Sequence, residues 1–397
     1  MQRRIRRYRR KLRKKFLVLS RRILNLFYKT SKPIISHGNK AQIIQSGPKA
    51  FDLFLKFINE SKYYIFLEYY IFRDDKHGQI ISEALIKKAK EGVKIFLLYD
   101  YIGSIDTKSN FFETLKRNGI TVVAFNPIKF ISNPLNWEKR NHKKLAIFDG
   151  IRAFVSGWNI GSEYFETHQE SMRDAGVLLE GPCIKKLENI FKQTFEKQSG
   201  IKINVSNKTG YEPIGNDEVW IIESGPKHKF RTIYNAYRLA IMSARKQIWI
   251  ENAYFVPTLR LRRALLNAVK KGVDVRIILP DKIDVPLVKY ASYNHYKSLL
   301  LGGIKIYERS AMILHSKIAC IDNVWTTIGS ANLHKRSLEK NFELNIVVIS
   351  EKFGKIVQDF ISEDINKSKM IIYSEWEKRP FSVKVKEKLA YLFSIFL

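Results

Sequence analysis

Asn141-His142-Lys143-Lys144-Leu145-Ala146-Ile147-Phe148-Asp149-Gly150, followed by Gly157-Trp158-Asn159, decides how this chain is read, because the pattern occurs twice. The second copy is His315-Ser316-Lys317-Ile318-Ala319-Cys320-Ile321-Asp322, followed by Gly329-Ser330-Ala331-Asn332. Each copy has a His, a Lys two residues on, an Asp five beyond that, and then an Asn. The apolar runs Leu145 to Phe148 and Ile318 to Ile321 put each motif on a core strand. Residues i and i+2 of a strand project from one face, so the spacing aims His and Lys into one cleft. A single match among eight histidines is a weak signal; two, at equivalent places in a repeat, are a strong one.

The repeat extends outward from the motifs. Ile43-Ile44-Gln45-Ser46-Gly47-Pro48-Lys49 returns as Ile221-Ile222-Glu223-Ser224-Gly225-Pro226-Lys227. Tyr64 to Tyr70 and Ile248 to Tyr254 are apolar runs ending in an acid and a Tyr, and both read as buried strands. Helices follow, with Ile80, Ile81, Ala84, Leu85 and Ala89 on one face in the first half and Leu261, Ala264, Leu265, Ala268 and Val269 in the second. Both stop at a glycine, Gly92 and Gly272. Strands over 93–99 and 273–279 complete two crossover units, which predict a mixed, mostly parallel sheet flanked by helices. A repeat of this length is a duplicated α/β domain. The expected division is an arm over 1–34, a first domain over 35–200, a linker over 201–217 and a second domain over 218–397, with one active site at their interface.

The residue types suit phosphodiester chemistry. A neutral imidazole attacks an anionic phosphodiester without charge repulsion and forms a phosphohistidine. The departing alkoxide needs a proton, so the second His must be cationic, and the surroundings must push the two pKa values apart. Lys144, Lys317, Asn159, Asn332 and Ser330 are the candidates for holding phosphoryl oxygens; Ser330 fits a turn equally well. These cations replace a divalent metal, and no metal or other cofactor is expected. Each His needs an orienting acid. Glu343 follows His315 by 28 residues; in the first half Glu170 follows His142 by 28 and Asp174 by 32. Asp174 is preferred, because a strand-like run (177–179) follows it. Asp149 and Asp322 join His142, Lys144, His315 and Lys317 in the catalytic set by motif, although their place at strand ends suits a turn. Tyr69, Tyr70 and Tyr254 suit either a cleft wall or packing.

The chain has 397 residues and a formal net charge of +32. Residues 1–32 hold fourteen Lys/Arg and no acid, and the remainder holds 56 basic against 38 acidic residues, so the positive field covers the body as well. It favours a polyanion, nucleic acid or an anionic membrane. Ile5, Tyr8, Leu12, Phe16, Leu19, Ile23 and Phe27 would form one stripe of a basic amphipathic helix. That pattern suits a membrane interface better than a nucleic-acid-binding arm. No stretch is long and apolar enough to be read as a spanning helix. The two cysteines, Cys183 and Cys320, are too few for a disulfide framework and fit a reducing compartment.

The segments around the motifs resemble the phospholipase D superfamily, and most closely its bacterial cardiolipin synthases. The resemblance rests on Glu68-Tyr69-Tyr70-Ile71-Phe72, Arg140-Asn141-His142, Gly157-Trp158-Asn159-Ile160-Gly161, Gly329-Ser330-Ala331-Asn332-Leu333, Arg336-Ser337 and Asn341-Phe342-Glu343. It implies two tandem phospholipase D-like domains sharing one cleft, and phosphatidyl transfer from one phosphatidylglycerol to another, which yields cardiolipin and glycerol. By similarity His142 is the nucleophile and His315 the acid/base; the residues themselves are symmetric on this point. The motif also permits hydrolysis, so a phospholipase D-type hydrolase or nuclease is the competing reading. The expected partners are anionic phospholipid and a membrane surface rather than nucleic acid. The expected location is the bacterial cell membrane, peripheral on its cytoplasmic face. The chain departs from the family where members carry two spanning helices in place of the basic arm, and where His334 replaces an Asp.

Overall fold

The alternation of apolar runs and amphipathic stretches produces the strands and helices expected of it, and a computed structural model describes them over residues 33–128, 138–205, 210–226 and 231–393. Residues 1–32 of the basic arm, residues 206–209 of the linker, Lys227 and the last four residues lie outside the described residues, and the last residue assigned to the arm, Ile34, opens the first strand. In the first half the strands are β1 (Ile34–Ile44), β2 (Tyr64–Tyr69), β3 (Lys94–Asp100), β4 (Thr121–Phe125), β5 (Leu145–Phe148), β6 (Arg152–Ser156), β7 (Met172–Arg173) and β8 (Gly176–Glu180). In the second they are β9 (Asp217–Ser224), β10 (Gln247–Asn252), β11 (Asp274–Pro280), β12 (Lys305–Arg309), β13 (Ile313–Leu314), β14 (Lys317–Ile321), β15 (Trp325–Gly329), β16 (Glu343–Ile349) and β17 (Ser368–Met370).

Fifteen of these strands form one sheet, in the order β17-β12-β11-β10-β14-β15-β16-β9-β1-β8-β6-β5-β2-β3-β4. The duplication is visible in that order. Read inward from its own edge, the first half runs β4-β3-β2-β5-β6-β8-β1, and the second repeats it as β12-β11-β10-β14-β15-β16-β9. The halves join where β1 pairs with both β9 and β8, its register shifting between Ser36 and Asn39.

The expectation of a mostly parallel sheet is corrected. Only the two triplets β2-β3-β4 and β10-β11-β12 are parallel; the other ten neighbouring pairs are antiparallel. Helices Lys76–Lys90, Ser109–Arg117, Leu259–Lys270 and Pro286–Leu301 supply the crossovers that parallel pairing requires, and they serve the triplets alone. Each motif strand instead turns straight back through a tight loop. Asp149 and Gly150 (φ 51° and 64°) and Asp322 and Asn323 (51° and 56°) carry the left-handed backbone of those loops. The glycines that end the crossover helices behave as expected, with φ of 91° at Gly92 and 84° at Gly272.

One buried cluster belongs to the first half, a large and a small one to the second, and the largest is shared. The shared cluster joins Phe66, Leu145 and Phe191 to Ile221, Ile318, Leu344 and Phe360. The helices Cys183–Ser199 and Glu351–Asn366 both contribute to it. This shared core brings the two motifs to one place. Among the described residues, no helix is long and apolar enough to cross a membrane.

Candidate active site

Each motif histidine is held by the opposite half of the chain. Asn141 forms a parallel bridge with Phe342. The His142 N–H donates to the Phe342 carbonyl at 2.8 Å, and the Phe342 N–H donates to the Arg140 carbonyl at 2.9 Å. The second motif repeats the device: β13 pairs with β7, and the His315 N–H donates to the Arg173 carbonyl at 2.8 Å. Backbone hydrogen bonds thus fix both imidazoles before any side chain is considered.

The orienting acids are crossed in the same way. Nδ1 of His142 lies 3.0 Å from Oε2 of Glu343, and Nδ1 of His315 lies 2.6 Å from Oδ2 of Asp174. The sequence reading paired each acid with the His of its own half, and the structure corrects this. Each acid lies against the His of the other half. The cause lies in the joined sheet: β8 and β16 flank its centre, and the strand-like bridges at Phe342 and Arg173 carry each acid onto the other motif. Glu170, the other first-half candidate, is exposed and orients neither His.

Glu343 is built into place. It accepts hydrogen bonds from the hydroxyls of Ser330 and Ser337, both at 2.6 Å. Burial alone would raise its pKa, but His142, Lys144 and Ser330 outweigh burial and hold it below the ordinary carboxylate range. Ser330 also accepts from the Leu344 N–H at 3.0 Å. Its proton and a lone pair are both committed, so here Ser330 supports Glu343. Asp174 depends on a glycine: a Cβ on Gly157 would stand 2.3 Å from both of its carboxylate oxygens.

Lys144 and Lys317 are buried beside the imidazoles. Lys144 Nζ donates to the His142 carbonyl at 2.8 Å and stands 5.2 Å from the centre of the Tyr70 ring. Lys317 Nζ donates to the His315 carbonyl and lies 3.6 Å from Asp174. Burial pushes the Lys144 amine well below its usual pKa and lowers that of Lys317. Burial also pushes the His142 imidazole down to about 4, against the pull of Glu343 and with Lys144 adding to the push. His315 moves down too, through burial and Lys317, against Asp174. The sequence reading expected opposite protonation states; burial, aided by the neighbouring lysines, presses both imidazoles toward the neutral form.

Aromatic rings wall the cluster. Tyr70 lies edge-on to His142 at 4.8 Å and Tyr164 edge-on to His315 at 5.5 Å. Asn159 accepts from the Ile71 N–H at 3.1 Å and donates to the Tyr164 hydroxyl at 2.7 Å, so it braces this wall. The Asn332 N–H donates to Ser337 at 2.9 Å, and its buried Oδ1 has no partner among the described residues. Tyr164 and Ser337 were not assigned roles from the sequence, since neither stands at a spacing that marks it. Lys143, one residue past His142, points the other way and lies 3.6 Å from Glu68 and 3.2 Å from Glu223.

The motif aspartates stand apart from this cluster, and their placement in the catalytic set is corrected. The Asp149 carboxylate accepts from the backbone N–H groups of Lys62, Tyr63 and Tyr64 at 2.7–2.8 Å. Asp322 does the same for Arg245, Lys246 and Gln247 at 2.8–3.0 Å. Each Asp stands seven positions beyond its His, about 20 Å if the chain between is extended. Their carboxylates tie a motif hairpin to the start of the neighbouring strand.

Comparison with known proteins places the chain in a family. The family model described as "Cardiolipin synthase, PLD-like domain" matches residues 54–195 and 237–365, one stretch in each half. The chain is 34% identical over 382 residues to a cardiolipin synthase of Geobacillus kaustophilus, covering 94% of this chain and 76% of that one. It is 35% identical over 367 residues to cardiolipin synthase 1 of Staphylococcus aureus, covering 91% and 74%. Among solved structures, a phosphatidylserine synthase of Haemophilus influenzae shares the fold, with a TM-score of 0.71 at 13% identity over 96% of this chain and all of that one. With its paired motifs gathered into one cluster, and by its match to the family model and to these relatives, the chain belongs to the phospholipase D-like cardiolipin synthase family.

Proposed function

We propose that this enzyme makes cardiolipin from two molecules of phosphatidylglycerol, with His142 as nucleophile and His315 as acid and base. The reading is carried by one observation: each imidazole is oriented by a buried carboxylate from the opposite half, so the two motifs form one site. Glu343 takes the Nδ1–H of His142 and leaves Nε2 as the free lone pair. That lone pair attacks phosphorus, and the bond to the headgroup glycerol oxygen breaks. Protonated His315 delivers its proton to that oxygen, and glycerol leaves. His315, now neutral, takes the proton of a second phosphatidylglycerol's hydroxyl. The resulting oxygen attacks phosphorus, the P–N bond breaks and cardiolipin departs. The substrate's negative charge offsets Lys144 and Lys317, which removes part of the push that keeps His315 neutral.

On this reading residues 35–200 and 218–397 are two phospholipase D-like domains joined by 201–217, and the basic arm over 1–34 holds the enzyme on the cytoplasmic face of the membrane. Phosphatidylglycerol labelled in its headgroup tests the chemistry. Released glycerol together with cardiolipin is the expected result; phosphatidic acid as sole lipid product overturns transfer. His315→Ala quenched in denaturant at mildly alkaline pH, where a P–N bond survives, should retain label from the diacyl-phosphoryl group on His142, whereas label on another residue reverses the assignment.

A further inference from the structure

The C-terminal helix Phe381–Phe393 packs by one face and presents another. Its inward face is complete. Ala390 is buried with Val256, Val288 and Ala291. Glu387 is buried and paired with Arg379 at 2.7 Å, and the Arg379 guanidinium lies on the Trp376 ring. The opposite face carries Phe381, Val385, Leu389 and Leu392, exposed by 80, 38, 52 and 67%. At 3.6 residues per turn these four fall within an arc of about 80°. Exposed Lys388 and Lys386 flank that arc on its two sides. A surface helix normally hides such a stripe against the body; here the body already occupies the other side.

The helix also stands beside the cleft. The cluster around Ala390 is bordered by Tyr254 and Ile283. The Tyr254 hydroxyl donates to Asp284 at 2.6–2.7 Å, and its ring lies 6.2 Å from that of His334, next to the Asn332 segment. An apolar stripe edged by lysines is the pattern of a helix lying in the plane of an anionic bilayer, with chains below and headgroups at its sides.

We propose that helix Phe381–Phe393 is an interfacial membrane anchor, its stripe of Phe381, Val385, Leu389 and Leu392 sunk among the acyl chains of an anionic bilayer beside the cleft. The proposal rests on the lipid-transfer reading above for its choice of occupant. It gives the helix a task distinct from that of the N-terminal arm: it sets the orientation of the cleft mouth against the lipid.

The test uses the full chain. An environment-sensitive dye on Leu389→Cys reports depth, since Cys183 and Cys320 are buried. With vesicles of phosphatidylglycerol and phosphatidylcholine, dye emission should shift to the blue and be quenched by chain-labelled lipid, with several-fold weaker partition onto phosphatidylcholine alone. An unshifted dye on protein that has bound the vesicles overturns the proposal. So does a shift that grows with protein concentration in the absence of lipid, which would identify a second copy as the occupant. The triple variant Phe381→Ser, Leu389→Ser, Leu392→Ser should lose at least about tenfold in turnover on vesicles. It should keep its turnover on detergent-dispersed substrate, which also reports that it folds. Undiminished turnover on vesicles sinks the anchor and leaves the activity standing. Insertion of the dye on Leu389→Cys, with a wild type that makes no cardiolipin in either format, sinks the activity reading and leaves the anchor standing.

Discussion

His142 shows how burial and charge set a nucleophile. The imidazole sits among two lysines and one carboxylate, and desolvation outweighs the carboxylate, so its pKa falls to about 4. An attacking nitrogen must be unprotonated, and at neutral pH this one is. The same shift has a consequence for stability. The folded value lies below the 6.5 of an unfolded chain, so between these values the unfolded state binds more protons than the folded state. Stability contributed by this residue is therefore whole above pH 6.5 and is lost as the pH falls toward 4. The loss is about 3 kcal/mol over that window, at about 1.4 kcal/mol per pKa unit. Urea melts from pH 7 to 4 should show His142→Asn losing less stability than wild type by that order. Parallel curves for the two proteins would mean that His142 is not held neutral by its surroundings.

At the scale of elements, the motif hairpins explain why a residue of the sequence pattern is absent from the cleft. Asp149 closes its loop in the left-handed region and gathers three backbone N–H groups at the start of β2. Two of those donors are on residues next to a fully buried strand, and the Tyr64 amide is itself buried. Removing the carboxylate leaves them unpaired, at about 1–3 kcal/mol for a buried donor. Asp149→Ala should lower stability by about 2–4 kcal/mol, while kcat per folded molecule changes less than about threefold. Asp322→Ala should cost less, because its hydrogen bonds to Arg245 and Lys246 are exposed. Denaturant titration with active-site-normalised kinetics checks both; a hundredfold fall in kcat in folded Asp149→Ala would return the residue to the chemistry. Gly157 is the contrasting case, since a methyl there collides with Asp174. Gly157→Ala should lower kcat while the hairpin stays intact. The strand runs and the helix-ending glycines were legible because each obeys a local rule of turn or periodicity, whereas the motif drew the hairpin aspartates into the catalytic set although their strand-end place suited a turn. The dominance of antiparallel pairs was not, because it follows from which strands lack a crossover helix, and that is a property of the whole sheet.

At the scale of the whole molecule, the exchange of acids makes the two halves interdependent. A strand-like run after each motif singled out Asp174 and Glu343 in the sequence, and the structure puts both beside an imidazole. It could not assign their partners, because contact across β1 and β9 has no local signature. Neither half alone holds an imidazole with its own carboxylate, so the site exists only when the shared core has formed. A pair of double-mutant cycles measures this. His142→Asn combined with Glu343→Gln removes a bonded pair across the halves, and His315→Asn combined with Glu343→Gln removes two residues from one half that do not bond each other. The first cycle should show a coupling in urea stability of about 1–3 kcal/mol, the range for a hydrogen bond to a charged group. The second should stay within about 0.5 kcal/mol, as for residues without a shared bond. His315→Asn with Asp174→Asn should couple like the first. If coupling instead followed the half of the chain, with Glu343 bound energetically to His315, the crossed arrangement would fail, and with it the account of one site built from two incomplete ones.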